Sequence, residues 1–327
     1  MESKLQNKIF KINEQSFNDV ALEVFRFQSK NCAVFQQYLK LIGIRPENIK
    51  NWQEIPFLPI RFFKEKKVIS THEKEEIIFY SSNTGSKGES KHYVKSLYIY
   101  EQSFLDSFET FFGDISSQNI LALLPAYKER EGSSLVYMVE KLREKSAKPH
   151  QDFFLYEHEN LYATLKKLKA QNKPVILFGV SFALIDFAEK YCLDYPLLSI
   201  IETGGMKGRK QEITRNELHQ VIQKSFPSSP IFSEYGMTEL LSQAYLLKDK
   251  KFHSPAWMKV RMRELDDPLS LNTNKKSGAI NIIDLANLYS CSFIATDDMG
   301  IVHSDGTFEI TGRIQESDMR GCNLLYL

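Results

Sequence analysis

Apolar residues in "FNDVALEVFRFQSKNCAVFQQYLKLIG" recur at three- and four-residue spacing, the period that gathers them on one helical face. Gly43 and Pro46 close that stretch, so residues 1–45 are predicted to be helical. "EIPFLPIRFFKEKKV" (54–68) contains Pro56 and Pro59, which fix φ and remove amide donors, and it reads as largely extended. "EEIIF" and "KHYVK" are short strand candidates on either side of the polar stretch "YSSNTGSKGES". "LYIYEQSFLDSFETFFG" (97–113) is an amphipathic helix ending at Gly113.

From residue 119 the pattern alternates. "NILALLPAY", "KPVILFG", "LLSIIETGG" and "PIFSEYG" are apolar runs of strand length. Between them "SSLVYMVEKLREKS", "ENLYATLKKLKAQ", "FALIDFAEKY" and "RNELHQVIQKSF" carry the helical period. Strand–helix alternation with near-continuous apolar strands predicts an open parallel α/β sheet buried on both faces. Ligands of such sheets bind beyond the carboxyl ends of the strands, here "PAY", "FGVS", "ETGGMKG" and "SEYGMTE". From about 275, "GAINIIDLANLYSCSFIATDDMGIVHSDGTFEITGR" has short alternating runs and an Asp305–Gly306 turn, which predicts antiparallel strands. The expected organisation is an α/β core with a helical N-terminal segment over 1–275, and a small β-rich part over 276–327.

Composition narrows the partners. The 327 residues include 42 Lys plus Arg and 41 Asp plus Glu, a net charge of +1. That balance offers no electrostatic footprint for nucleic acid or an anionic membrane, so neither is an expected partner. Cys32, Cys192, Cys291 and Cys322 have no metal-type spacing and read as reduced thiols, which points to the cytoplasm. The charged N-terminus lacks the apolar run of a secretory signal, and the longest apolar run, 175–188, is too short to span a bilayer. The seven histidines show no H-x-x-x-H spacing, which argues against zinc.

The candidate chemistry lies in the loops. Residues 81–88 hold Ser81, Ser82, Thr84, Gly85, Ser86 and Lys87: backbone amides, hydroxyls and one cation that suit a phosphate, or else a solvated hairpin turn. In "SEYGMTEL", Tyr235 can stack on a flat ring, Thr238 can reach a phosphate oxygen and Glu239 can bind a divalent cation. Alternatively, Thr238 merely caps a helix. "ATDDMG" places Asp297 and Asp298 at a strand end, where a carboxylate can accept both ribose hydroxyls or simply form a turn. Arg313 is a fork-shaped donor for phosphate or ribose, or a surface arginine. "FGVSFA" resembles a nucleophile elbow with Ala183 in place of its last glycine. The chain order Ser181, Asp297 or Asp298, His303 leaves a serine acyltransferase open as an alternative.

Taken in order, these motifs resemble the adenylate-forming superfamily. "SSNTGSKGESK" is similar to its phosphate-binding loop, "ETGGMKG" to its adenine-contacting turn and "EYGMTE" to its Tyr-Gly-x-Thr-Glu motif. "TDDMG" is similar to its ribose-binding Thr-Gly-Asp, with Asp297 for glycine, and "GRIQESDMRG" to its hinge motif. Within that superfamily "IPFLPIRFFK", "ILALLPAYKEREGSSLVYMV", "ETGGMKGRK" and "EYGMTELLSQAY" resemble the acyl-protein synthetase (LuxE) family, from about residue 54 onward.

The resemblance implies a fold and a reaction. The fold is the α/β N-terminal core of adenylate-forming enzymes, parallel sheets plus a small antiparallel β subdomain. The reaction converts a fatty or other carboxylic acid and ATP to an acyl-adenylate and passes the acyl group to a thiol. ATP and Mg²⁺ are the implied cofactors. The loop 81–88 with Lys87 would hold the β- and γ-phosphates, Thr238 the α-phosphate and Glu239 the Mg²⁺. Tyr235 with Gly204 and Gly205 would sandwich adenine, Asp298 would fix the ribose, and Arg313 would meet ribose or phosphate. Asn83 and Gly88 stand where the superfamily more often has Gly and Pro. The chain stops just past the hinge motif, so the mobile C-terminal domain and its lysine are expected to be absent. Cys322, inside "RGCN", reads as structural, and the acceptor thiol is then expected in trans, on a protein, a carrier or a second copy. A non-catalytic nucleotide-binding protein is the other alternative.

Overall fold

The computed structural model describes residues 2–81, 88–125, 131–147, 153–204, 213–265, 269–270 and 277–314. Helices α1 (Glu2–Ile9), α2 (Glu14–Asn31) and α3 (Ala33–Leu41) open the chain. Strand β1 (Leu58–Pro59), the one-turn α4 (Phe62–Glu65), β2 (Ile77–Tyr80), β3 (Lys91–Val94) and α5 (Leu97–Phe112) follow. Next come β4 (Asn119–Leu123), α6 (Ser134–Lys145), α7 (His158–Ala170), β5 (Val175–Val180), α8 (Ser181–Lys190), β6 (Leu198–Thr203), α9 (Arg215–Ser225) and β7 (Ile231–Tyr235). The remaining elements are strands and one short 3₁₀ turn: β8 (Ala244–Leu246), β9 (Phe252–His253), β10 (Met258–Arg263), β11 (Gly278–Asp284), β12 (Phe293–Val302) and β13 (Phe308–Arg313). Among the described residues no helix is long and apolar enough to cross a membrane.

Two compact units divide the chain. One comprises Met1–Ser103, Met237–Ser242 and Phe252–Leu327; the other comprises Phe104–Gly236 and Gln243–Lys251. The second unit is the predicted α/β alternation. Its strands β4, β5, β6 and β7 are parallel neighbours in that order, and β8 adds to β7 antiparallel. Every residue of β4 and β5 is buried, which is why these strands read as unbroken apolar runs. Helix α9 starts at a capping box in which Thr214 accepts from the Glu217 amide and Glu217 accepts from the Thr214 amide, satisfying two otherwise orphaned donors.

The first unit holds an antiparallel sheet. Strands β10, β11, β12, β13 and β9 are neighbours in that order, and β1 joins β12 in parallel. Strands β2 and β3 form a separate hairpin around the 81–88 stretch. The boundary expected at 275 falls between β10 and β11, which pair along their whole length, because β10 belongs to the antiparallel sheet and not to the alternating part. The stretch 54–68, expected to be extended, also makes the turn of helix α4. The N-terminal helices belong to this unit through Gln28. Its buried side chain donates to the carbonyls of Asn287 and Leu288 and to the Ser292 hydroxyl, each at 3.0 Å, and accepts from the Ser292 amide at 2.9 Å.

Candidate active site

In the first unit the chain turns at Met237–Ser242, the second half of the "EYGMTEL" stretch. Asp284, fully buried, accepts from the Leu241 amide at 2.9 Å, the Ser242 amide at 2.9 Å and the Ser242 hydroxyl at 2.6 Å. Asn287 donates to the Glu239 carbonyl at 2.8 Å and accepts from the Leu241 amide at 3.1 Å. This scaffold presents the Glu239 side chain, which is 6% exposed. Burial raises its pKa, while the Ser90 hydroxyl, its own amide, Lys64 and Arg313 pull it back. Glu239 is thus a desolvated carboxylate in a cationic field, a state that a bound cation relieves.

Asp298 and Arg313 meet across the β12–β13 hairpin. They are register partners, with Nε 3.0 Å from the carboxylate oxygen. The register shifts between Met299 and Gly300, and a Cβ at Gly300 would lie 2.1 Å from the Glu309 carbonyl. Glycine at 300 therefore allows β13 to approach closely enough to set Arg313 opposite Asp298. Arg313 is 72% exposed and Asp298 9% exposed, so the pair contributes at most about 1 kcal/mol to folding. Its placement calls for a reason beyond stability. Burial lowers the pKa of Arg263, which donates to the Thr296 carbonyl at 2.7 Å, and half-buried Asp297 partly opposes that shift.

Ser81 is held at the base of its loop, its hydroxyl accepting from the Ser90 amide at 2.9 Å. Ser82, Thr84, Gly85, Ser86 and Lys87 lie outside the described residues, as do Gly205 and Cys322. The first unit therefore gathers Glu239, Asp298 and Arg313 in one electrostatic neighbourhood.

In the second unit, Gly204 follows β6 and Tyr235 ends the neighbouring β7. Gly204 takes φ +69°, and its carbonyl accepts from the Ser181 hydroxyl. Tyr235 is 8% exposed. Gly236 lets the chain leave β7 over the Glu234 carboxylate, because a Cβ there would lie 2.3 Å from Oε1. Within its own unit each residue read as part of a serine-acyltransferase set has other partners. Ser181 is 2% exposed and gives its proton within 2.6 Å of Glu202 and beside the Gly204 carbonyl, while His303 bonds Glu309 at 3.0 Å and Asp298 pairs with Arg313. Ser181 starts α8 directly after β5 and is used to close that turn.

Acidic residues that sequence reasoning passed over lie at these strand ends. Glu202 is buried and raised in pKa. Glu234 accepts from the Thr203 hydroxyl at 2.5 Å, and burial pushes its pKa up to about 7, with Glu202 adding to the rise. Both sit inside motifs read for their neighbours; the available signal was a carboxylate at the end of an otherwise apolar strand. A carboxyl with a raised folded pKa stabilises the fold below its unfolded value of 4.5, and that stability is lost as pH climbs through about 7. His92 and His219, lowered by burial to about 4, act in the opposite sense over nearly the same range. Glu234→Gln removes one of these opposing contributions. Relative to wild type, the variant is expected to gain roughly 3 kcal/mol between about pH 4 and about pH 8 in denaturant unfolding. A difference that does not change over that range contradicts the raised carboxyl.

The model of the acyl-protein synthetase family LuxE matches residues 136–326, more than half of the chain. The chain belongs to the LuxE family. The LuxE match begins after the 81–88 loop, so the resemblance read from residue 54 is matched from 136 onward. No curated protein matches this LuxE-family chain in sequence. Among solved structures it is similar to a long-chain-fatty-acid–CoA ligase (FadD1) from Archaeoglobus fulgidus, at 13% identity and a TM-score of 0.55, covering 76% of this chain and 53% of that one. It is also similar to O-succinylbenzoate coenzyme A synthetase from Bacillus subtilis in complex with AMP, at 16% identity and a TM-score of 0.52, covering 74% of this chain and 62% of that one. ATP-bound MatB from Rhodopseudomonas palustris matches at 15% identity and a TM-score of 0.50, over 72% of this chain and 47% of that one. At these identities the likeness is one of fold: the α/β core of adenylate-forming enzymes. The chain spans about half to three-fifths of the length of these structures.

Proposed function

We propose that this LuxE-family chain activates a carboxylic acid, of the fatty class, with ATP and passes the acyl group to a thiol of a protein or carrier. A carboxylate oxygen attacks the α-phosphorus, the bond from that phosphorus to the bridging oxygen breaks, and pyrophosphate leaves. A thiolate then attacks the acyl carbonyl, and AMP leaves with the electron pair. Family membership supports the reaction class. The observation that carries it to these residues is Glu239, a buried carboxylate in the field of Lys64 and Arg313, with Arg313 paired to Asp298.

In this reading Asp298 accepts the ribose hydroxyls and Arg313 stays close enough to meet ribose or phosphate. Thr238 orients the α-phosphate. Tyr235 and Gly204–Gly205 receive the adenine, with glycine allowing close backbone approach. Ser81, Ser82, Thr84, Gly85, Ser86 and Lys87 hold the departing phosphates.

Magnesium is tested by the donor set. Among the described residues no group of three or more His, Cys, Asp or Glu gathers to hold an ion. A single buried carboxylate fits Mg²⁺, which is commonly held by one or two carboxylates plus substrate phosphates and waters. When bound, the ion neutralises charge developing on the phosphates. Glu239 would hold it, and the Leu241 and Ser242 amides on Asp284 keep that carboxylate's turn in place.

The experiment is a panel of carboxylic acids tested for acid-dependent ATP–pyrophosphate exchange, run beside thermal unfolding with Mg-ATP and an acyl-sulfamoyl adenosine. Ligand at about a hundred times its dissociation constant is expected to add roughly 2.7 kcal/mol of stability. A shift without exchange makes the chain a nucleotide-binding protein without chemistry. Neither a shift nor exchange overturns the reading.

A further inference from the structure

The two residues of the Thr238–Glu239 turn are held at both carbonyls. Asn287 takes one; His92 takes the other, with Nδ1 2.9 Å from the Thr238 carbonyl oxygen. A carbonyl only accepts, so Nδ1 carries the proton. Nε2 then accepts from the Ser290 hydroxyl at 2.8 Å. His92 is 1% exposed, with Phe63 edge-on at 5.6 Å, and burial keeps it neutral. Both nitrogens are satisfied in one tautomer, so the ring has one orientation.

His92 lies on β3, the strand that leaves the 81–88 loop. Ser90, two residues earlier, faces the same side and is also 1% exposed. The Ser90 hydroxyl is buried near the Glu239 carboxylate, whose pKa it helps pull down, but makes no hydrogen bond among the described residues. Its amide and carbonyl clasp Ser81, with the Ser81 amide donating to the Ser90 carbonyl at 3.0 Å and the Ser81 hydroxyl accepting at 2.9 Å. The segment 90–92 therefore ties Ser81, at the base of the loop, to the Thr238 carbonyl of the turn.

We propose that His92 is a positioning residue: its Nδ1–H to the Thr238 carbonyl sets the Thr238–Glu239 turn in register with β3 and with Ser81, which Ser90 holds. The proposal rests on the acyl-activating reading for the reaction that this register serves. A misplacement of about 1 Å between groups that must grip one phosphate chain costs on the order of a hundredfold in rate. That gives the tether a purpose beyond packing.

Two isosteres separate the tether from a plain core role. His92→Asn places an amide N–H where Nδ1 sits and loses the Ser290 bond. His92→Gln reaches where Nε2 sits and loses the Thr238 bond. Each deletes one buried bond, so a purely structural histidine makes both variants lose similar stability and similar rate. The expected result is similar thermal unfolding, with His92→Gln slower than His92→Asn by about tenfold or more in kcat for acid-dependent ATP–pyrophosphate exchange. Ser290→Ala, which spares the Nδ1 bond, is expected to behave like His92→Asn. Amide hydrogen exchange on the same proteins gives a readout that needs no activity. Peptides covering 77–92 and 237–243 are expected to exchange faster in His92→Gln and to stay near wild type in His92→Asn and Ser290→Ala. Equal rates and equal exchange in the two His92 variants, or losses that simply track stability, overturn the tether. If wild type shows no pyrophosphate exchange with any acid, the functional reading fails, and the hydrogen-exchange pattern alone decides for or against the tether. If neither His92 variant folds, Ser290→Ala decides: wild-type exchange in both peptides supports the tether, and faster exchange there overturns it.

Discussion

Glu239→Gln is expected to lower acid-dependent ATP–pyrophosphate exchange by about a hundredfold or more. Glutamine keeps the size and one acceptor oxygen but removes the charge. In the fold that charge is a liability: the carboxylate is buried, its pKa is raised by desolvation, and Ser90, Lys64 and Arg313 only partly offset this. Replacing a buried charge with a neutral isostere is often neutral or stabilising. The signature is therefore a large loss of rate with stability unchanged or slightly improved, read by exchange assay and denaturant unfolding on the same preparation. If the variant exchanges pyrophosphate as fast as wild type, Glu239 does not serve the phosphates. If stability collapses together with rate, the carboxylate is a structural group.

Asp284→Ala is expected to cost about 3–5 kcal/mol in denaturant unfolding. The Asp284 carboxylate is fully buried and accepts from the amides of Leu241, Ser242 and Ala286 and from the Ser242 hydroxyl. Burial pushes its pKa up to about 6, and those four donors pull the other way. Alanine leaves the donors buried; the Leu241 amide retains Asn287 and the Ser242 hydroxyl retains the Ser103 hydroxyl at 2.9 Å, while the Ser242 and Ala286 amides lose the acceptor they had. Each orphaned donor carries a penalty of about 1–3 kcal/mol, and relaxation of the turn recovers part of the sum. Because this turn carries Thr238 and Glu239, exchange activity is expected to fall as well, even under conditions where the variant is fully folded. A loss below about 1 kcal/mol would mean that water or a neighbouring group replaces the carboxylate.

What could be read without coordinates follows from burial. Strands β4 and β5 are covered on both faces, so their sequence must be apolar throughout, and "NILAL" and "VILFGV" announce themselves. Helices α2 and α9 face the core on one side only, so their apolar residues keep the helical period, and their capping boxes at Asn13–Ser16 and Thr214–Glu217 mark where they start. The Asp305–Gly306 turn is local chemistry: Gly306 takes φ +84° and Asp305 accepts from the Thr307 amide at 3.0 Å. Those signals lie within a few residues of the structure they specify. They give the α/β class, the order of most elements, the end of β7 at Tyr235 with Thr238 and Glu239 in the turn beyond it, and Arg313 at the end of β13; Asp298, expected at a strand end, lies instead inside β12.

The sheet partners and the support of the turn have no such signal. Nothing near residue 258 says that β10 will pair with β11 twenty residues on and not continue the alternation, so the boundary read at 275 splits a strand pair. Ser181 carries the local look of a nucleophile, and only the fold shows that its proton serves Glu202 and the Gly204 carbonyl. Glu239 reads from sequence as a lone acid. Its setting comes from Ser90 and Lys64, from Asn287 and from Arg313, residues drawn from four separate stretches of chain. A hydrogen bond or a charge acts over a few ångströms whatever the sequence separation, and such partners leave no periodicity behind. The sequence by itself therefore determined the alternation of elements and where most of them begin and end, though not the α4 turn or the place of Asp298 inside β12. Only the tertiary structure decided which of those side chains are desolvated, paired or held in place, because these depend on contacts made across the fold.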